Sequence, residues 1–125
     1  MSTVLIVDDA LFMRKKVRDA LEPFGFKIIG EAQNGKDAVK KFEELNPDVI
    51  TLDIVMPEMD GIEVLAKIRE KNKSIPIIMI TAIDQRESML KAMKLGITDF
   101  IVKPFDNNRV VSAVQKAVQR TKGNI

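Results

Sequence analysis

The chain has 125 residues, 46% hydrophobic and 30% charged, and its 20 basic and 18 acidic residues leave a formal net charge of +2. This length can bury one complete core, so we expect a single domain spanning residues 1–125. The small net charge, with Lys and Arg scattered among acids, argues against direct nucleic-acid binding. Cys and His are both absent, which excludes disulfides, thiolate metal sites and imidazole chemistry. No apolar stretch approaches the roughly 20 residues of a membrane span and no signal peptide is present, so we expect a cytoplasmic protein with no membrane partner.

Strand-like and helix-like patterns alternate five times along the chain, which is typical of a parallel sheet with helices on both faces. The predicted strands are short β-branched and aliphatic runs at about 3–8, 26–31, 49–53, 77–81 and 99–102. The predicted helices follow them at about 11–22, 61–71, 85–95 and 107–122, and the second helix is predicted between the Asn34-Gly35 turn and Asn46-Pro47. Right-handed connections between these elements give an α/β fold with a doubly wound, open parallel sheet.

Apolar residues recur at spacings of three and four in each predicted helix, so one face of each helix should pack against the sheet. These predicted buried faces comprise Met13, Val17, Ala20, Leu21 and Phe24; Ala38, Val39, Phe42 and Leu45; Ile62, Leu65 and Ile68; Met89 and Met93; and Val110, Val111, Val114, Ala117 and Val118. Asp60 and Asp84 precede the third and fourth helices and are expected to cap them. Gly96 is expected to end the fourth helix.

Polar side chains stand where four of the predicted strands end. Asp8 and Asp9 end the first strand, Asp53 the third, Thr81 the fourth and Lys103 the fifth. Doubly wound sheets bind ligands outside the carboxyl ends of their strands, so these five side chains should gather at one edge of the sheet.

Three ionised acids held together repel one another and need a compensating cation. Mg²⁺ fits best, because it prefers oxygen ligands and the chain offers no nitrogen or sulfur ligand to attract zinc. With Mg²⁺ on Asp9 and Asp53, the Asp53 carboxylate is suited to accept a phosphoryl group, assisted by the Lys103 ammonium and the Thr81 hydroxyl. Taken singly, Asp8, Asp9 and Asp53 are explained equally well as helix caps or turn residues, and Thr81 and Lys103 as ordinary strand-end residues. Their occurrence together favours the site.

The same residues resemble the receiver domains of bacterial two-component response regulators, especially stand-alone chemotaxis-type receivers, over essentially the whole chain. The matching motifs are Leu5-Ile6-Val7-Asp8-Asp9, Asp53 with Met56-Pro57 and Asp60-Gly61, Thr81-Ala82, and Lys103-Pro104-Phe105. The resemblance implies a (βα)5 flavodoxin-like sandwich. Its strand order, 2-1-3-4-5, is the known order of the chemotaxis receiver and is carried over with the resemblance rather than derived.

The resemblance also implies roles for the acids. Asp53 would take its phosphoryl group from the phosphohistidine of a sensor histidine kinase or a histidine phosphotransfer protein. Asp9, Asp53 and the backbone carbonyl of Val55 would hold Mg²⁺, and Asp8 would act through a metal-bound water. Val55 and Ile83 occupy positions that influence loss of the phosphoryl group, and both are apolar, which predicts slow self-dephosphorylation.

A switch is implied as well. The residue matching Lys103 contacts the phosphoryl group, and the hydroxyl matching Thr81 swings toward it after transfer. Phe100 stands where many relatives have Tyr and would move inward in concert; a fixed core phenylalanine is the alternative. Lys103-Pro104 would be a cis peptide bond.

The expected output surface is helix four, strand five and helix five, for a downstream protein target. Its basic residues are Lys91, Lys94, Arg109, Lys116 and Arg120. They favour an acidic or amphipathic partner segment, with a merely solvated helix face as the alternative. We expect a monomer, with phosphorylation-dependent dimerisation left open.

The leading hypothesis is therefore a phosphoacceptor switch, in chemotaxis or another pathway, and not a metabolic enzyme. A flavodoxin-like cofactor binder would use the same fold, but the chain lacks Trp, Tyr and a Gly-rich phosphate loop. A haloacid dehalogenase-type phosphohydrolase would carry a second acid two residues after the nucleophile, where this chain has Val55. A structural pseudo-receiver, a single-domain phosphorelay intermediate and the receiver fragment of a larger DNA-binding or enzymatic regulator remain as further alternatives.

Overall fold

The computed structural model describes residues 2–82 and 86–123, with side chains as far as residue 120. The strands are β1 (Thr3–Val7), β2 (Lys27–Ala32), β3 (Val49–Leu52), β4 (Ile77–Ala82) and β5 (Asp99–Lys103). The helices are α1 (Leu11–Leu21), α2 (Gly35–Leu45), α3 (Gly61–Lys71), α4 (Arg86–Leu95) and α5 (Asn107–Gly123). In the described part of the chain, no helix has both the length and the apolar character needed to cross a membrane.

The five strands form one sheet in the order β2-β1-β3-β4-β5, and every neighbouring pair is parallel. The predicted fold class and strand order are therefore confirmed. In register, Val7 pairs with Leu52, and Leu52 pairs in turn with Met79. The carboxyl ends of all five strands consequently lie along one edge, with the ends of β1 and β3 side by side at its centre.

Both faces of the sheet are covered, which explains the nearly continuous apolar character of the central strands. Residues of β1 alternate between the two faces: Leu5 and Val7 pack with α2 and α3, whereas Val4 and Ile6 pack with α1 and α5. The sheet is thereby held rigidly between two helical layers, and its edge is a firm base for a site.

Three predicted core residues are exposed, Phe24, Leu45 and Met93. The α1 helix ends at Leu21 and continues as a 3₁₀ turn over Glu22–Phe24 that contains Pro23. This change of geometry takes Phe24 off the α-helical stripe, and it is 56% exposed. Leu45 is exposed because it is the last residue of α2, before the chain turns through a left-handed Asn46.

The α4 helix packs through a different face from the predicted one. Its buried residue is Ala92, whereas Met93 is 59% exposed, so the prediction for Met93 is wrong. Ala92 packs in the core cluster that includes α3, and the following residue Met93 faces solvent. Gly96 has a left-handed φ of 99° and donates its N–H to Ala92 at 3.0 Å, as expected for a helix-ending glycine. Asp84, the predicted cap of this helix, lies outside the described residues.

The start of α3 presses against the end of β3. Asp60 caps the helix as predicted, because its Oδ1 accepts the N–H of Glu63 at 3.0 Å. Gly61 donates its N–H to the carbonyl of Ile54 at 2.7 Å. A Cβ at Gly61 would lie 2.1 Å from the carbonyl oxygen of Asp53, so only glycine permits this approach. The loop after β3 is thereby fixed against a helix end directly behind Asp53.

Candidate functional site

Three carboxylates meet at the central edge of the sheet. Single carboxylate oxygens of Asp8, Asp9 and Asp53 all lie within 4.8 Å of one another. Asp8 and Asp53 are each only 4% exposed, whereas Asp9 faces solvent. They come together because β1 and β3 are neighbours, and the N–H of Asp53 donates to the carbonyl of Val7 at 3.0 Å.

Neither acid of the pair after β1 caps the following helix. The N-cap of α1 is Ala10, which makes no side-chain capping bond. Asp8 instead uses its Oδ1 to accept the N–H of Ala10 at 2.9 Å, which leaves its other carboxylate oxygen directed into the site. The capping alternative for this acid pair is therefore not what the structure shows.

Lys103 reaches into the acid group from the end of β5. Its Nζ lies 2.8 Å from Oδ2 of Asp8 and 3.5 Å from Oδ1 of Asp53. The peptide bond between Lys103 and Pro104 is cis. One ammonium among three ionised carboxylates leaves a local excess of negative charge.

Burial and the neighbouring charges together shift the pKa of Asp53. Burial raises the pKa of Asp53 to about 6, and the nearby carboxylate of Asp8, with a smaller effect from Asp9, adds to the rise. The Lys103 ammonium and the backbone N–H of Val55 oppose this rise in pKa without cancelling it. An ionised Asp53 is thus held in a place where its charge is unfavourable until a further cation arrives.

The donor set fits a hard divalent cation. All three candidate ligands are carboxylate oxygens, which Mg²⁺ prefers, and exposure of Asp9 leaves room for the waters that Mg²⁺ usually keeps. The residues present therefore match the predicted metal in chemistry and number.

Thr81 lies close to this edge of the sheet, but its hydroxyl makes no hydrogen bond to the described residues. It is fully buried near the end of β4, and its Oγ1 has no hydrogen-bond partner among the described residues. A buried hydroxyl without a partner carries a desolvation cost that a new acceptor would remove. Thr81 is thus ready to bond an oxygen that enters the site.

Phe100 shares a sheet face with Thr81. Phe100 pairs in register with Met79, two residues before Thr81 on β4, and side chains two apart on a strand point to the same face. The ring is half-buried against the core cluster that contains Ala92 of α4. Thr81, Phe100 and the core cluster that contains Ala92 of α4 therefore lie on the same side of the sheet.

Two cationic residues of α1 support the site, and the sequence patterns indicate neither. Arg14 donates from Nη1 to the backbone carbonyl of Asp8 at 2.7 Å. Lys16 donates to the carbonyl of Phe105 at 3.0 Å, and its Nζ lies 4.6 Å from the centre of that ring. The only sequence signal for Arg14 and Lys16 was that α1 directly follows the acid pair. Without that signal, long basic side chains on a helix predict a solvent-exposed face.

Comparison with known sequences identifies close relatives. The sequence model described as "Response regulator receiver domain" matches residues 4–115. The chemotaxis protein CheY of Listeria monocytogenes is 48% identical, over 95% of this chain and 100% of that protein. The chemotaxis protein CheY of Bacillus subtilis is 46% identical, over 92% of this chain and 96% of that protein.

Comparison with solved structures also finds response-regulator relatives. A chain in the CheX-CheY-BeF3-Mg+2 complex from Borrelia burgdorferi superposes with a TM-score of 0.87 and 39% identity, covering 92% of this chain and 87% of that chain. The REC domain of the response regulator AraT from Geobacillus stearothermophilus superposes with a TM-score of 0.90 and 29% identity, covering 98% and 97% of the two chains.

Asp53→Asn is expected to stabilise the metal-free protein at neutral pH. Because the folded state raises the pKa of Asp53 above its ordinary 3.8, the folded state binds that proton more tightly, and stability is lost as pH rises from about 4 through 6. Removing the charge should raise the free energy of unfolding by about 2 kcal/mol near pH 7.5, with the gain shrinking toward pH 4. Urea unfolding with a metal chelator present measures both values.

Asp60→Asn is the matched control, because it neutralises an acid in the same loop region yet keeps a side chain that can cap α3. It should show no comparable pH-dependent gain. An equal effect of Asp53→Asn at both pH values would show that the charge of Asp53 is not under strain.

Proposed function

The chain belongs to the response regulator receiver domain family, and from this membership we propose that it is a switch in which Asp53 accepts a phosphoryl group from a phosphohistidine. The phosphohistidine would be that of a sensor histidine kinase or a histidine phosphotransfer protein. The supporting observation is the placement of Asp53, buried beside two further acids with the Lys103 ammonium 3.5 Å from its Oδ1. Family membership favours this function over the flavodoxin-like and dehalogenase-type alternatives.

In the proposed transfer, a carboxylate oxygen of Asp53 attacks phosphorus, and the bond from phosphorus to the histidine nitrogen breaks. The nitrogen keeps the bonding electron pair, and Asp53 becomes an acyl phosphate. Phosphoryl transfer needs positioning and charge neutralisation more than a general base. Lys103 supplies one positive charge at the right place, and its present partner Asp8 keeps the ammonium directed across the site.

Asp9, Asp53 and the backbone carbonyl of Val55 are the proposed Mg²⁺ ligands, with Asp8 acting through a bound water. Mg²⁺ would supply the missing positive charge for both the acids and the phosphoryl oxygens. The side chain of Val55 is exposed and apolar and offers no group to guide an attacking water, which favours slow loss of the phosphoryl group. Ile83, the second position considered for this effect, lies outside the described residues.

Phosphorylation would act on the output surface through Thr81 and Phe100. The new phosphoryl oxygens are acceptors for the unpartnered Thr81 hydroxyl, and movement of Thr81 changes the space available to Phe100 on the same face. Because Phe100 packs with the cluster that contains Ala92, α4 and β5 would adjust together. This is a two-state element biased by a local charge change.

The surface of α4 and β5 indicates the kind of downstream target. Leu90, Met93 and Val102 are large apolar side chains exposed there, and Lys91 and Lys94 are exposed beside them. An apolar strip flanked by cations suits an amphipathic segment that carries acids. The CheY relatives make chemotaxis the proposed pathway.

Incubation with acetyl phosphate should add one phosphoryl group to the protein only when Mg²⁺ is present, because the acid group repels an anionic donor without it. Intact-mass spectrometry measures the adduct. Asp53→Asn should give no adduct under the same conditions, whereas Asp60→Asn should be labelled like the wild type.

Labelling of Asp53→Asn to the wild-type level would place the acceptor elsewhere. Absence of labelling in a wild-type protein that binds Mg²⁺ would favour a pseudo-receiver. Catalytic release of phosphate from a small phosphate ester, without a stable adduct, would favour a phosphohydrolase.

Thr81→Val should separate phosphorylation from switching. The substitution removes a hydroxyl that has no described partner, so stability should be unchanged or slightly higher, and Asp53 should still be labelled. The amide chemical-shift changes that phosphorylation produces in α4 and β5 should be largely lost, as measured by NMR on the phosphorylated proteins.

Thr98→Val is the comparison, because the Thr98 hydroxyl accepts the N–H of Ile77 at 3.1 Å. Its loss should destabilise the fold by about 1 kcal/mol while leaving the switch intact. Full shift changes in phosphorylated Thr81→Val would contradict the role of the hydroxyl.

A further inference from the structure

We infer that Arg14 is a positioning residue, which fixes the backbone of the acid pair so that Asp8 and Asp9 face Asp53. This inference rests on the proposed metal site and assigns a further residue to it. Among the described residues, Arg14 makes no hydrogen bond or ion pair with the three carboxylates; it bonds the main chain from which two of them extend.

Arg14 bonds two acceptors through different nitrogens of its guanidinium. Nη1 of Arg14 donates to the carbonyl oxygen of Asp8 at 2.7 Å, and Nε donates to Oε1 of Glu31 at 2.9 Å. The side chain is only 11% exposed, so both bonds are shielded from water. One planar guanidinium therefore spans two fixed acceptors, a geometry that a lysine cannot reproduce.

Glu31 anchors the Arg14 side chain to the sheet. Glu31 lies on β2, where it pairs in register with Ile6, so its backbone is part of the sheet. Arg18 also bonds its carboxylate, with Nη2 2.7 Å from Oε2. These bonds from Arg18 and Arg14 lower the pKa of Glu31 against the opposing effect of burial, which keeps it ionised at neutral pH. Arg14 is thus held by a charged side chain whose backbone is part of the sheet.

Arg14 holds the backbone at the turn between β1 and α1. The acid pair follows the last residue of β1, and α1 begins at Leu11, where the N-cap residue Ala10 makes no side-chain capping bond. Asp8 is also held by other hydrogen bonds: its N–H donates to the Ala32 carbonyl at 3.0 Å, its Oδ1 accepts the Ala10 N–H at 2.9 Å, and its Oδ2 accepts from Nζ of Lys103 at 2.8 Å. The Asp8 carbonyl orients the peptide plane that leads to Asp9, and Arg14 is the side chain that secures it. If this peptide plane could rotate, the Asp9 carboxylate would point in several directions, and any cation site that uses it would be weaker.

The chain contains a matched control. Arg18 bonds the same glutamate from the same helix, but within the described part of the chain it makes no hydrogen bond to the acid pair, and it is 32% exposed. Arg14→Met and Arg18→Met both remove a link between α1 and β2 and keep an unbranched apolar stem. Only Arg14→Met also removes the donor to Asp8.

Two readouts test the inference, one of them without metal. NMR titration with Mg²⁺ alone should give a dissociation constant about tenfold higher for Arg14→Met than for the wild type, and within about twofold of the wild type for Arg18→Met. In the metal-free proteins, the amides of Asp9 and Ala10 should exchange with solvent several-fold faster in Arg14→Met only. Arg14→Lys should fall between, because its ammonium reaches one acceptor at a time. Arg14→Lys also serves as the test variant if Arg14→Met does not fold.

The outcomes separate this inference from the proposed function. A wild-type protein without Mg²⁺ affinity would overturn the metal site itself. A wild-type protein that binds Mg²⁺, with equal affinity and equal amide exchange in the Arg14 and Arg18 variants, would overturn the positioning role and reduce Arg14 to a structural ion pair.

Discussion

The structure depends on one unfavourable arrangement, an ionisable Asp53 buried beside Asp8 at the centre of the sheet edge. Burial and the neighbouring acids together raise its pKa to about 6, and Lys103 offsets this only in part. Such a site carries a cost that the rest of the fold must offset through its two apolar layers. Binding of a cation and then of a phosphoryl group would change this local balance of charge, which is what makes the edge a switch and not simply a weak point.

Each surrounding feature keeps that arrangement from relaxing. The parallel pairing of β1 and β3 holds the acids side by side, and the close approach of Gly61 leaves no room for the loop after Asp53 to retreat. Behind the acid pair, Arg14 ties the chain to Glu31 on β2. A loosely held site would lose its strain by moving the carboxylates apart.

Much of this architecture follows from sequence pattern. The four apolar runs that end on polar residues predicted both the parallel sheet and the edge where those residues meet, and the observed boundaries of β1, β2, β4 and β5 lie within one residue of expectation. Short apolar runs bounded by turn residues fit the length of strands better than that of helices, which is why the pattern was sufficient there. Strand order needed the family resemblance, because local pattern does not encode it.

The errors have a common physical origin. Phe24 and Met93 were assigned to the core from helical spacing, but a 3₁₀ turn takes Phe24 off the stripe and α4 packs through Ala92 instead of Met93. Arg14 was missed because its role depends on Glu31, seventeen positions further along the chain and on a different element. Periodicity describes which face of a helix is apolar, whereas helix rotation and long polar contacts are settled only by tertiary packing.

The central claim, that Asp53 is held under electrostatic strain that Mg²⁺ relieves, is tested most directly by NMR titration of its carboxyl carbon. Without metal the carboxyl should titrate near pH 6, and saturating Mg²⁺ should move the midpoint to or below its ordinary value of 3.8. An ordinary midpoint in the metal-free protein, unchanged by Mg²⁺, would contradict the account.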